Sequence, residues 1–165
     1  MLTPDQSEIV RARMVIYAKF LADVIQVREH GGQNRGEVVE KLLRKEHGNP
    51  GDPWCMAFCA ALYESACAAF ALKPDMDLNL SCSAGQRSAA LLGRYHENVR
   101  LARAGDLVLL KGGPTGYKHV EIIISPANEA GVVATIGGNT NGAGSAEGDG
   151  VYRQKRSGNV GFITL

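Results

Sequence analysis

The sequence predicts an α+β domain in which N-terminal helices pack on a C-terminal antiparallel β-sheet. Three observations predict it. Before Asp106, apolar residues recur at helical spacing behind recognisable helix starts. From Asp106 onward they gather in short β-type runs, DLVLLK, HVEIIIS, GVVATIG, VYRQKR and VGFITL, separated by turns that carry glycine. Helices first and strands last is the order of an α+β fold, and 165 residues at 45% hydrophobic content suit one core, so residues 1–165 are read as a single domain.

Taken in order, the first helix begins after Thr3, with Pro4 at its first position and Gln6 completing a capping box; Ile9, Ala12, Val15, Ile16, Phe20 and Val24 recur near the helical period. Residues 29–36, EHGGQNRG, cannot continue that helix and form a loop. A second helix is expected over about Glu37–His47, with Val38, Val39, Leu42 and Leu43 on one face and Gly48 just past its end. Asp52 as cap and Pro53 at the first position predict a third helix through WCMAFCAALYESACAAFAL. Pro74 to Leu80 is irregular, and a fourth helix is expected over Ala84–Tyr95 with Ser83 as its cap. The glycine-rich GGNTNGAGSAEGDG is a long turn between strands and lacks the Gly-Lys-Ser/Thr of a phosphate cradle.

Charge and composition exclude several classes of function. Eighteen basic and 17 acidic residues leave a formal charge of +1, with no electrostatic footprint for nucleic acid. No stretch approaches the ~20 apolar residues that cross a bilayer, so no membrane insertion is expected. The N-terminus lacks the pattern of an export signal, which predicts a chain made in the cytoplasm with four free thiols and leaving the cell, if it does, without an ordinary signal peptide. A monomer is favoured.

The cysteines and histidines differ in what their positions allow. Cys55 lies on the first turn of the third helix, where unpaired N–H groups and the helix dipole favour a thiolate. Cys59 and Cys67 lie deeper in that helix and read as packing residues; Cys82, ahead of the fourth helix start, is the competing nucleophile. His30, His47 and His96 fall near helix ends. His119 instead opens a strand after the loop KGGPTGYK, a position that suits a general base, although a structural strand-end histidine is the plain alternative. Asn139, 20 residues on at the end of the next strand, is placed to orient the imidazole, while asparagine is also common in turns. A zinc site through Cys55, Cys59 and a histidine is disfavoured by the cysteine spacing, so no metal and no cofactor is expected.

With these residues in place, the chain resembles the CHAP domains, cysteine- and histidine-dependent amidohydrolases/peptidases of the papain-like cell-wall hydrolase group. The matching pieces are GDPWCMAFC, AGDLVLL, KHVEIIIS and TIGGNTNG in that order, together with the upstream EHGGQNRGEVVEKLL, spanning about residues 25–164. The resemblance implies a papain-like fold and cleavage of peptidoglycan amide bonds, as in phage or prophage endolysins. It makes Cys55 the nucleophile, His119 the base and Asn139 the orienting residue, with Trp54, Asn34 and Arg35 as candidates for contact with the peptidoglycan peptide. Two departures stand out: Lys118 replaces a glycine often found before the histidine, and Gly137 replaces a glutamate often found two residues before the asparagine. Two other readings stay open: an amidase for a small cytosolic amide or γ-glutamyl compound, and a non-catalytic phage assembly module.

Overall fold

The computed structural model of the chain describes residues 1–112 and 116–165. The loop KGGPTGYK ahead of His119 therefore lies partly outside the described residues. Four α-helices precede all six strands of an antiparallel sheet.

Helix α1 (Pro4–Lys19) starts as its sequence dictates. Thr3 Oγ1 accepts the N–H of Gln6 at 3.2 Å while Gln6 Oε1 accepts that of Thr3 at 2.9 Å, and a single π-helical segment, Phe20–Val24, prolongs the helix. Its buried face is not the expected one. Ser7, Val10, Arg11, Met14 and Ala18 face the core, whereas Ile9, Ile16, Phe20 and Val24 are exposed. Two stripes of helical spacing compete on this helix, and the winning one buries Arg11 because its guanidinium finds the backbone carbonyl of Leu165 at 2.6 Å. That partner is 154 residues away in the chain.

Helix α2 (Glu37–Lys45) buries Val39 and Leu43, and ends where His47 turns left-handed at φ 61° and Gly48 N–H bonds back to Leu43 O. Helix α3 (Cys55–Ala68) is almost wholly buried. Its cap differs from expectation: Asp52 accepts the N–H of Asn49 in the preceding turn, and Trp54 is the N-cap residue, its carbonyl accepting the Phe58 N–H. Cys55 is thus the first residue of the helix.

Helix α4 (Cys82–Leu91) begins and ends earlier than expected. Ser81, not Ser83, is the cap, and Gly93 at φ 69° closes the helix with Arg94 N–H bonded to Ala89 O. Tyr95 and His96 are released to form β1 (Tyr95–His96), an edge strand absent from the sequence reading.

The remaining strands follow the β-type runs: β2 (Leu107–Lys111), β3 (Tyr117–Ser125), β4 (Val133–Thr140), β5 (Gly150–Arg156) and β6 (Val160–Ile163). The sheet order is β1-β6-β2-β3-β4-β5. A core of α-helical residues with Leu107, Leu109, Val120, Ile122 and Ile136 fills one side, and a smaller one around Val108, Ile123, Val133 and Phe162 fills the other. Among the described residues no helix is long and apolar enough to cross a membrane.

Candidate active site

Helix α3 starts beside β3. Its first turn has no side-chain cap, so the N–H groups there and the positive end of the helix dipole are left for the Cys55 sulfur and what approaches it. Cys55 is 5% exposed and borders a cleft of about 540 Å³ whose wall includes Pro53, Lys118, Asn139, Ser145 and Glu147.

His119 and Glu121 are two apart on β3 and so project from the same face of the strand, both fully buried. His119 Nε2 lies 3.2 Å from Glu121 Oε1. Nδ1 has no hydrogen-bond partner among the described residues, which leaves it as the ring nitrogen free to deal with Cys55. Glu121 in turn accepts the Thr135 hydroxyl at 2.5 Å and the Arg156 Nε–H at 2.9 Å, and pairs with a second Arg156 N–H. A buried carboxylate with that many donors is held in one orientation, and it holds the imidazole with it.

The electrostatics follow from these contacts. Hydrogen bonding from Cys82, working against the cost of burial and aided by His119 and the Val120 N–H, holds the Cys55 thiol well below its ordinary range. The Cys82 thiol moves the opposite way, pushed up by that same hydrogen bond and by burial. Burial alone would lower His119, but Cys55 and Glu121 raise it to about 9. Burial would raise Glu121, yet His119, Arg156 and Thr135 hold it at about 2. Together these directions favour a thiolate beside an imidazolium and a carboxylate at neutral pH.

Of the residues singled out from sequence, Cys55 and His119 lie close enough for each to shift the titration of the other. Asn139 borders the same cleft in a left-handed conformation, φ 56°, but among the described residues no hydrogen bond joins it to His119. The orienting bond expected of Asn139 is made by Glu121. Trp54 is fully buried, donates Nε1–H to Glu29 Oε1 at 2.8 Å and packs edge-on to Phe58, so it supports the start of α3 and does not face the cleft. Asn34 is also buried, binding Glu29 and the Gly51 carbonyl, and Arg35 is exposed outside the cleft wall. None of the three expected substrate contacts stands on the wall of the Cys55 cleft; Trp54 and Asn34 brace the loop over residues 29–36 against α3. Cys82 is the first residue of α4, with its Sγ 3.8 Å from that of Cys55. His96 stacks on Phe162 on the other side of the sheet.

Sequence reasoning missed Glu121, although one signal was available. It stands two residues from His119 in a strand, the spacing that puts two side chains on one face, and a charged residue inside an apolar run such as HVEIIIS calls for a buried partner.

Among the described residues no group of three or more His, Cys, Asp or Glu side chains is arranged to hold a metal ion. Comparison with protein-family models, with curated proteins and with solved structures finds no match to this chain.

Proposed function

We propose that this protein is a cysteine amidohydrolase that cleaves amide bonds of peptidoglycan peptides. The line from the Cys55 sulfur through the His119 ring to the Glu121 carboxylate supports the chemistry, since an ionised thiol next to a fixed imidazolium is what nucleophilic attack on an amide needs. The substrate class rests on the resemblance of GDPWCMAFC, KHVEIIIS and TIGGNTNG to the CHAP domains.

In this mechanism the Cys55 thiolate adds to the scissile carbonyl carbon. The N–H groups of the first turn of α3 are positioned to stabilise the oxyanion. His119, protonated before the reaction starts, gives its Nδ1 proton to the leaving amine, and the C–N bond breaks to leave a thioester on Cys55. The neutral ring then takes a proton from water, which adds to the thioester and frees the acid. Throughout, Glu121 holds the ring in place and favours its charged form.

The experiment is digestion of purified sacculi, read as new amine and carboxyl termini by mass spectrometry of the released fragments. The reading requires termini from the wild-type protein and none from Cys55→Ala. Equal release by that variant, or intact sacculi alongside turnover of small amides, would replace it.

A further inference from the structure

Cys82 has no part in the hydrolytic cycle, yet it is built into the site. It opens α4 as Cys55 opens α3, and the two sulfurs stand 3.8 Å apart. Their approach depends on Gly85, one turn further along α4: a Cβ there would lie 2.8 Å from Leu78 O and 2.9 Å from Cε of Met56, the neighbour of Cys55. Both thiols are free, and each is less than a tenth exposed. Only Cys55 borders the cleft. A small oxidant therefore meets Cys55 first, and the nearest thiol to whatever forms there is Cys82.

We propose that Cys55 and Cys82 form a reversible disulfide when the site meets hydrogen peroxide, with Cys55 as the oxidised sulfur and Cys82 as the resolving thiol. The Cys55 thiolate attacks one peroxide oxygen; the S–O bond forms, the O–O bond breaks and hydroxide leaves. Cys55 loses two electrons and becomes a sulfenic acid. The Cys82 sulfur then attacks the Cys55 sulfur, forming the S–S bond and expelling the oxygen, which departs as water with the Cys82 proton. Closing the pair to a disulfide length of about 2.05 Å requires about 1.8 Å of relative movement, within reach of side-chain rotation and a small shift of the two helix ends.

The consequence is that the nucleophile is stored rather than destroyed. A sulfinic acid is not recovered by thiols, whereas a disulfide is. The proposal rests on the reading of Cys55 as the site's nucleophile, and deepens it by assigning its protection under oxidation. Cys59 and Cys67 are buried along α3 away from the cleft, and burial pushes the Cys59 thiol up, so neither competes.

The test treats the reduced full chain with stoichiometric hydrogen peroxide and maps it without reduction. Cleavage before Asp52, Asp75 and Asp77 separates Cys82 from the other three cysteines. We expect loss of two hydrogens from the intact mass, a crosslinked pair of peptides joined through Cys55 and Cys82, and reversal by dithiothreitol. In Cys82→Ser, the crosslink is replaced by a dimedone-reactive Cys55 that proceeds to sulfinic acid. A crosslink to Cys59 or Cys67, or sulfinic acid on Cys55 of the wild-type protein at the rate seen in the variant, overturns the proposal; the wild-type map decides even where the variant misfolds. Mass is read without substrate, so a crosslink in a protein that leaves sacculi intact rejects peptidoglycan hydrolysis alone, and hydrolysis without a crosslink rejects this proposal alone.

Discussion

Glu121 and Gly137 share one volume: a Cβ built on Gly137 would stand 2.6 Å from Cγ of Glu121 and 2.9 Å from its Oε1. The carboxylate that the family resemblance leads one to seek at position 137 on β4 thus comes from the neighbouring strand, β3, and fills the space that a side chain at 137 would have taken. The glycine and the glutamate are two halves of one arrangement. Thr135 on β4 and Arg156 on β5 complete it from the far side.

Gly137→Ala is expected to push the Glu121 carboxylate off the imidazole. Overpacking of a filled interior costs about 1–3 kcal/mol, so thermal unfolding should report that loss together with reduced turnover of sacculi. An alanine variant of unchanged stability and activity would show that the carboxylate has room to spare.

Glu121→Gln removes the anion that favours imidazolium. The His119 pKa, held at about 9, should fall, and the alkaline edge of activity should move to lower pH with it. A loss of general acid–base catalysis of about 10²-fold or more is expected. The pH profile of Cys55 alkylation by iodoacetamide reads the same shift without substrate, and an unmoved profile would remove Glu121 from its positioning role.

The stability of the wild-type protein should depend on pH from both sides. His119 is raised in the folded state, so its contribution is full below its ordinary value of 6.5 and is lost as pH rises through about 9. Glu121 is depressed, so its contribution is present above its ordinary 4.5 and is lost as pH falls toward about 2. Denaturant midpoints across pH 2–10 should decline at both ends, and Glu121→Gln should flatten the acid side.

Trp54→Phe separates support from substrate contact. It deletes the Nε1–H bond to Glu29 and leaves that carboxylate oxygen unpaired, at an expected cost of about 1–3 kcal/mol in chemical denaturation. Because Trp54 is buried away from the cleft, KM for a soluble muropeptide should stay within about twofold, or about 0.4 kcal/mol. A large rise in KM would return Trp54 to the substrate.

The helix starts at Thr3 and the β-type runs after Asp106 are legible because they are local: a capping oxygen acts within one turn, and alternation acts within one strand. The same locality explains where reading failed. Asp52 looks like a cap but spends its carboxylate on Asn49, and Ser83 looks like a cap but accepts the N–H of Tyr117 from β3. On α1, the chemistry of the sequence favours burying Ile9 and Ile16, and the carbonyl of Leu165 tips the balance to Arg11.

Residue type and neighbourhood along the chain singled out Cys55 and His119 as candidates, since a sulfur at a helix start and an imidazole at a strand opening are set by short-range geometry. The choice of Glu121 over Asn139, the approach of Cys82 to 3.8 Å, and the retirement of Trp54 to the core came only with the packed molecule. Cross-strand and helix–helix distances depend on how every element shares the available volume, and volume is a property that no stretch of chain carries alone.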